Sequence, residues 1–164
     1  MIKLLGAPDF PRAVWVIRAG FATVAEEFGL TEQNCPRYTA FATTAERLRY
    51  HSRQGWQLCG LYEGEQLVGY ASLSEEAGGA YELHNLAVLP ACRHRGYGKQ
   101  LLDYCKEKVR EAGGAKITIG IIEENTVLKN WYAANGFIHT GAQRLEQFPF
   151  TAGYMEFILP GGAA

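Results

Sequence analysis

A strand, a glycine-bearing loop and a helix follow one another in the middle of the chain, and they constrain the fold more than any other segment. Residues 81–88 are typical of a strand, Pro90 interrupts it, and Gly96 and Gly98 precede an amphipathic stretch that predicts a helix over residues 98–112. Glycine lets the backbone approach a ligand closely, and the first amides of a helix lack acceptors within the helix. With the positive end of the helix dipole, these amides predict an anion site.

The basic residues Arg93, Arg95 and Lys99 add positive charge to this loop, where phosphates would lie. Two common phosphate motifs do not fit. A dinucleotide fingerprint would need glycine at position 101, which is leucine, and a Walker loop would need Ser or Thr at position 100, which is glutamine. This mismatch disfavours an oxidoreductase or a kinase. Taken alone, the loop is better explained as a basic helix N-terminus without a ligand.

Hydrophobic periodicity and turn residues predict the other elements. The elements predicted before the loop are a strand over 2–5, helices over 9–28 and 43–54, and a hairpin of strands 57–63 and 67–74. The capping-box sequence Thr43–Glu46 opens the second helix. After the loop they are a strand over 116–122, a short helix over 126–134, and strands within 137–147 and 154–159. We expect an antiparallel meander, a strand–helix–strand unit and a closing hairpin, forming one domain over 1–160 with a flexible tail at 161–164.

The amino-acid composition argues against several classes of protein function. Lys plus Arg total 16 and Asp plus Glu 17, a net charge of -1, which argues against a general nucleic-acid-binding protein. The longest charge-free run, 130–143, contains polar side chains, so no membrane helix is expected, and the N-terminus lacks the apolar core of a signal peptide. We therefore expect a cytoplasmic protein. The cysteines show no zinc-site spacing, so we expect free thiols and no metal at Cys35, Cys59, Cys92 and Cys105.

Two motifs together resemble one known family. The sequence Arg93-x-x-Gly96-x-Gly98, directly after a strand, resembles motif A of the GCN5-related N-acetyltransferases (GNAT family), which holds the pyrophosphate of coenzyme A. Asn125 followed by the segment Trp131–Phe137 resembles the family's next motif. The two motifs occur in the family's order and at a typical separation.

The resemblance extends from residue 57 to about residue 140 and implies both a fold and an activity. The implied fold is a mixed α/β (α+β) GNAT-like fold. Its central sheet is mixed, mostly antiparallel, has about six or seven strands and is flanked by about four helices. Two of the strands are splayed apart at the coenzyme A site. The implied activity is transfer of an acetyl group from acetyl-CoA to a primary amine, by direct attack in a ternary complex.

The resemblance also implies which residues bind the cofactor. The pantetheine arm is expected to pair with the backbone of the strand before the loop, and the pyrophosphate with the loop itself. Asn125 is expected to contact the arm or, as the sequence alone indicates, to cap the following helix. The implied cofactor-binding residues are Leu86, Ala87, Val88, Arg93, His94, Arg95, Gly96, Tyr97, Gly98, Lys99 and Asn125.

Three side chains are candidates for proton transfer. Glu82 aligns with the family's general base, and His84 shares its strand face, as Leu86 and Val88 also would if the strand alternates regularly. The base is then Glu82, alone or with His84, unless both side chains simply face solvent or a neighbouring strand. Tyr132 matches the tyrosine that protonates the departing coenzyme A thiolate, although it is also explained as a packing residue.

The acceptor amine is left open by the sequence. Carboxylates and aromatic rings that would suit a cationic amine occur in the regions that form the acceptor site of relatives, at Glu26, Glu27, Glu32, Tyr38, Phe148, Phe150 and Tyr154. We expect a small-molecule amine. The alternatives are an enzyme acting on protein N-terminal or lysine amines, and a non-catalytic acyl-CoA-binding module. Family members often pair through edge strands, which makes a homodimer plausible.

Overall fold

Seven strands form one sheet in the computed structural model, which describes residues 1–161. The strands are β1 (Ile2–Leu4), β2 (Gln57–Glu63), β3 (Gln66–Glu75), β4 (Ala80–Val88), β5 (Lys116–Ile122), β6 (Ile138–Arg144) and β7 (Thr151–Ile158). Their order is β1-β2-β3-β4-β5-β7-β6, and only β4 and β5 are parallel. The predicted mixed, mostly antiparallel sheet is confirmed. From residue 162 onward, the predicted tail at 161–164 lies outside the residues that the structure describes.

Five α-helices occur in the described part of the chain. They are α1 (Phe10–Glu27), α2 (Thr39–Ala42), α3 (Ala45–Arg53), α4 (Tyr97–Glu111) and α5 (Thr126–Ala134). The short helix α2 was not predicted, because four residues are too few to show a helical period. Thr44, rather than Thr43, caps α3 by accepting from the amide of Arg47 at 3.1 Å. No helix within residues 1–161 is long and apolar enough to cross a membrane.

Helices α1 and α4 cover opposite faces of the sheet. Gly20 of α1 lies so close to β4 that a Cβ atom there would be 3.0 Å from the Cβ of Ala87. Gly69 of β3 permits a similar approach, since a Cβ atom there would be 2.8 Å from Cδ1 of Leu101 in α4. Ile17 of α1 and Leu101 are both fully buried. Burying a side chain of this size stabilises the fold by ~1.5–3 kcal/mol.

The parallel strands β4 and β5 separate shortly after they meet. Their residues pair only from Ala80 opposite Lys116 to Glu82 opposite Thr118. Beyond this point, β4 remains paired with β3 on its other edge, and β5 remains paired with β7. This separation is the splay that the family resemblance predicted.

A β-bulge lies in β4, just beyond the splay point. Ser72 of β3 is opposite His84, and Tyr70 is opposite Ala87, so β3 advances two residues while β4 advances three. Asn85 within the bulge has a left-handed backbone, with φ of 54°. Since directly opposite residues share a face of the sheet, His84 and Ala87 lie on the same face.

The bulge corrects one prediction about side-chain direction. Regular alternation predicted that Glu82, His84, Leu86 and Val88 share a face. The extra residue reverses the alternation after His84, and Val88 is opposite Gly69, on the face that α4 covers. The prediction is wrong because a sheet bulge depends on how two strands pair, which the sequence of one strand does not reveal.

A second apolar cluster lies beside the splayed strands. It joins the C-terminal half of α1, the segment containing α2, the end of β5 and the loop between β6 and β7. Tyr38 is at its centre, with edge-to-face contacts to three rings at centroid distances of 6.1–6.3 Å, those of Phe21, Phe41 and Phe150. This cluster anchors the segments that border the opening between β4 and β5.

The four cysteines are free thiols in the structure, as the sequence predicted. Cys35, Cys59 and Cys105 are buried, and Cys92 is half-buried. The thiol of Cys59 donates to the carbonyl of Ala71 at 3.2 Å. These thiols therefore serve mainly as small apolar packing groups.

Candidate active site

The loop before α4 presents unpaired helix amides at its end. The first hydrogen bond of the helix runs from the amide of Gln100 to the carbonyl of Gly96, at 3.0 Å. The amides of Tyr97, Gly98 and Lys99 precede it and therefore have no acceptor within the helix. Gly96 occupies the N-cap position with φ of 80° and has no side chain to cap these amides. The geometry suits an anion that accepts several backbone hydrogen bonds.

The basic side chains of the loop are already engaged by other residues. Nη2 of Arg93 donates to the carbonyl of Gly20 in α1 at 2.9 Å, and burial lowers the pKa of this guanidinium. Nη1 of Arg95 lies 3.2 Å from Oε2 of Glu63, and Lys99 is 2.7 Å from Asp103. Arg93 thus tethers the loop to α1. The other two cations form exposed pairs, which contribute little to stability and can rearrange when an anion binds.

Helix α5 lies directly beside the start of α4. A Cβ atom at Gly98 would be 3.5 Å from the ring of Trp131, so α5 lies within van der Waals contact of this turn. Oδ1 of Asn125 accepts from the amide of Leu128 at 3.2 Å and caps α5. The capping role predicted from the sequence is confirmed. Its predicted contact with the pantetheine arm stays a prediction.

Tyr132 lies in the core between α4 and α5. Its ring has edge-to-face contacts with Trp131 and Phe137, at centroid distances of 5.0 and 5.2 Å. Burial raises the pKa of the Tyr132 phenol well above its ordinary value. The hydroxyl therefore stays protonated at neutral pH, which a proton donor requires.

Glu82 stands at the point where the two strands separate. A cleft of about 230 Å³ opens there, lined by Glu82, Thr118, Ile119, Gly120, Thr140, Tyr154 and Met155. The Glu82 side chain is 41% exposed, so a ligand in the cleft can reach it. Burial, and secondarily the charge of Glu76, raises the pKa of Glu82. A raised pKa makes the carboxylate a stronger base.

Three contacts fix the position of His84 next to Glu82. Its Nδ1 is 3.4 Å from Oε2 of Glu82, and its Nε2 is 2.8 Å from Oγ of Ser74. The ring stacks on Trp56 at a centroid distance of 4.1 Å. Burial lowers the pKa of His84 to about 4. The imidazole is therefore neutral at physiological pH, and one of its two ring nitrogens can accept a hydrogen bond.

The residues predicted for the acceptor site fall into three groups. Tyr154 lines the cleft, and its hydroxyl donates to Oε1 of Gln143 at 3.2 Å. Tyr38, Phe148 and Phe150 belong to the second apolar cluster that borders the opening. The three carboxylates are exposed, which agrees with a solvated helix end and loop, at Glu26, Glu27 and Glu32.

Sequence reasoning missed several residues around Glu82. Thr118 and Thr140 line the cleft, while Ser74 and Trp56 contact His84. The antiparallel meander predicted from the sequence already includes the pairing of β3 with β4. The exact register, which brings Ser74 opposite Glu82, was not readable from the sequence.

Comparison with known proteins agrees with this geometry. The family model described as "Acetyltransferase (GNAT) family" matches residues 22–137. The chain belongs to this family. One relative is an "uncharacterized N-acetyltransferase in pepI 3′region" from Lactobacillus delbrueckii subsp. lactis, 36% identical over 55 residues. The match covers 34% of this chain and only 32% of that relative's length.

Solved structures of acetyltransferases share the fold. A PaiA N-acetyltransferase from Thermoplasma acidophilum, in complex with coenzyme A, superposes with a TM-score of 0.81 at 20% identity, covering 97% of this chain and 98% of that one. The ribosomal-protein-S18-alanine N-acetyltransferase from Escherichia coli gives 0.78 at 16% identity, covering 100% and 97%. YncA from Salmonella typhimurium, with acetyl-CoA, gives 0.75 at 19% identity, covering 100% and 96%. At these identities, the likeness establishes a common fold.

Proposed function

We propose that the protein is an acetyl-CoA-dependent N-acetyltransferase that acts on a small primary amine. The observation that carries the proposal is the end of β4–β5 pairing at Glu82 and Thr118, between the glycine-bearing loop before α4 and a cleft. The splay leaves room for an extended cofactor arm, and Glu82 faces the cleft from its edge. Membership of the acetyltransferase (GNAT) family supports the same conclusion.

Acetyl-CoA fits the chemistry of the groups along β4 and α4. The amides of residues 97–99 suit the pyrophosphate, and the backbone of Leu86, Ala87 and Val88 suits the amide groups of the pantetheine arm. His94 and Gly96 turn the loop with left-handed backbones, at φ of 64° and 80°. Arg95, Tyr97 and Lys99 add side chains that can contact the phosphates once their present partners are exchanged.

The proposed reaction uses two side chains and one backbone amide. The bound thioester provides a carbonyl carbon that an amine can attack. Glu82 takes a proton from the acceptor ammonium, and the neutral amine forms the new C–N bond while the C–S bond breaks. A backbone amide near Leu86–Val88 stabilises the carbonyl oxygen as it gains charge. Tyr132 gives its proton to the departing thiolate sulfur, and the second proton that leaves the attacking nitrogen restores the Tyr132 phenol through solvent.

Direct transfer is favoured over an acyl-enzyme on Cys92. An amine attacks a thioester without covalent assistance, whereas a cysteine nucleophile needs an adjacent base. The imidazole of His84 contacts Glu82, Ser74 and Trp56 rather than a thiol. The acceptor that we propose is a small amine that enters the cleft of about 230 Å³, and the alternative is an N-terminal or lysine amine of a protein that reaches into the same cleft.

Release of coenzyme A thiol from acetyl-CoA tests the proposal. We would compare polyamines, amino acids, aminoglycosides and short peptides with free N-termini or lysines as acceptors. Acceleration by a small amine, with the acetylated product found by mass spectrometry, supports the proposal. Acceleration by peptides alone would identify a protein acetyltransferase instead. Binding of acetyl-CoA without acceleration by any acceptor would contradict catalysis and indicate a binding module.

A further inference from the structure

Four polar side chains form a continuous network from the cleft to the protein surface. Glu82 contacts Nδ1 of His84 at 3.4 Å, Nε2 of His84 contacts Oγ of Ser74 at 2.8 Å, and Oγ of Ser74 donates to Oε2 of Glu76 at 2.9 Å. Ser74 is buried and Glu76 is exposed. The pairing of Ser74 opposite Glu82 brings the network to one face of the sheet.

The single hydrogen of the Ser74 hydroxyl determines the protonation pattern of His84. A serine hydroxyl donates one hydrogen bond and accepts through its lone pairs. Because Ser74 donates to the Glu76 carboxylate, it must accept at its contact with Nε2. Nε2 therefore carries the proton of the neutral imidazole, and Nδ1 presents a lone pair toward Glu82.

Aromatic stacking keeps the His84 ring in one plane. His84 stacks on one face of Trp56 with an interplanar angle of 16°, and His51 of α3 stacks on the other face at 3.8 Å and 2°. A 180° flip of the His84 ring would keep this plane but would put carbon atoms where Nδ1 and Nε2 lie, and it would break the Ser74 hydrogen bond.

We infer that Ser74 and Glu76 are positioning residues that hold His84 with Nδ1 free, so that Nδ1 accepts a hydrogen bond from Glu82 once that carboxylate has taken the substrate proton. The catalytic part of this inference rests on the proposed acetyl transfer. The ammonium proton passes to the Glu82 carboxylate, and the resulting Glu82 hydroxyl donates to Nδ1 of the neutral ring, while Nε2–H donates to Ser74. The proton then leaves Glu82, which is accessible from solvent.

The charges around His84 fit this role. Burial lowers the pKa of His84, and His51 on α3 adds to this effect, while Glu76 beyond β3 raises the pKa less strongly. Arg47 of α3 lowers the pKa of His51, after the larger effect of burial, and so favours a neutral His51. These surroundings therefore keep the His84 ring neutral, so that Nδ1 retains the lone pair that faces Glu82.

The tautomer of His84 is measured directly by long-range ¹H–¹⁵N correlation NMR on protein with ¹⁵N-labelled histidine. We expect a protonated Nε2 and an unprotonated Nδ1 in the wild type at neutral pH. Ser74→Ala and Glu76→Ala should each produce a mixture of tautomers, since the first removes the hydroxyl and the second frees its hydrogen for Nε2. Ser72→Ala is the matched control, because Ser72 donates to the backbone carbonyl of His84 at 3.3 Å and should leave the tautomer unchanged.

An Nδ1-protonated wild-type ring, or an unchanged tautomer in both variants, would overturn the inference. This readout needs no turnover, so it remains informative if no acceptor amine is found and the proposed function fails. With an active amine, Ser74→Ala should lower kcat/KM roughly 10-fold, short of the ~10²–10⁴-fold effect of losing a general base. In a Glu82→Gln background, Ser74→Ala should not lower kcat/KM further. Full additivity of the two substitutions would contradict a joint role of Glu82 and His84.

Discussion

Glu82 of β4 and Thr118 of β5 are the last two residues that pair across the parallel strands. Beyond them, the edge of β4 that faces β5 is no longer covered by a strand, while its opposite edge stays paired with β3. The position where pairing ends is also where the cleft opens and where a carboxylate with a raised pKa is found. Separation of the two strands therefore opens a cleft directly beside this carboxylate.

Replacing Glu82 by glutamine should reduce kcat/KM by ~10²–10⁴-fold at neutral pH. In the wild type, the rate should fall as the pH falls through the Glu82 pKa, because the protonated carboxyl cannot accept a proton. Burial and Glu76 raise this pKa, so the decline should begin above the usual glutamate range. Glu82→Gln should remove this limb of the pH–rate profile.

Glu75→Gln is the control for this variant, because Glu75 is exposed at the end of β3 and opposite Tyr81 rather than Glu82. It should leave the profile unchanged. An unaltered profile in Glu82→Gln itself would assign the proton transfer to His84 or to water.

Tyr132→Phe should lower kcat by about 10-fold or more while changing the Kd of acetyl-CoA little, since it removes only the proton donor. Steady-state assays measure kcat, and calorimetric titration with acetyl-CoA measures its Kd, so the two quantities are obtained separately. Tyr70→Phe removes a similarly buried phenol on β3 and should affect stability without this loss of turnover. Equal turnover of Tyr132→Phe and the wild type would leave Tyr132 as a packing residue.

Gly96→Glu should weaken coenzyme A binding by at least about 10-fold, or ~1.4 kcal/mol, by putting negative charge where the pyrophosphate binds. Gly113→Glu is a close control at the other end of α4. Both glycines have positive φ, of 80° and 76°, and neither would place a Cβ atom within 4 Å of another residue. Both variants should thus lose a similar ~1–2 kcal/mol of stability from the left-handed backbone. Equal coenzyme A affinities in calorimetry would contradict the assignment of the loop.

Asn125→Ala should lower the free energy of unfolding by about 1 kcal/mol, because it removes the cap of α5. Urea unfolding followed by circular dichroism measures this change. Asn125→Ser keeps a capping oxygen and should recover most of the loss. If both variants match the wild type, the hydrogen bond to the Leu128 amide contributes nothing to stability.

Local features of the fold were predictable from the sequence. The start of α4 was predicted within one residue, and the hairpin of β2 and β3 with nearly the observed bounds. The cap at Asn125 was also predicted correctly. Glycine conformation, helix capping and hydrophobic periodicity all act over a few residues, so a single stretch of sequence contains the information.

Features that depend on contacts between distant segments were not predictable in this way. The bulge at Asn85 reverses side-chain alternation, and its position follows from the pairing of β4 with β3. The sequence predicted that the loop residue Arg93 contacts phosphate. In the structure, its guanidinium donates to the carbonyl of Gly20 in α1, which is far away in the chain. Hydrogen-bond partners of a long side chain depend on what the fold brings near it.

The sequence by itself determined the order of the elements, the glycine-bearing loop that opens α4 and, through two motifs, the family. Only the tertiary structure decided how the polar groups work together. It ended β4–β5 pairing at Glu82, and it brought Ser74 and Trp56 to the two sides of His84. The physical reason is that backbone conformation is set largely by near neighbours. The pKa and hydrogen-bonding pattern of a buried side chain are set by whichever groups the folded chain packs around it.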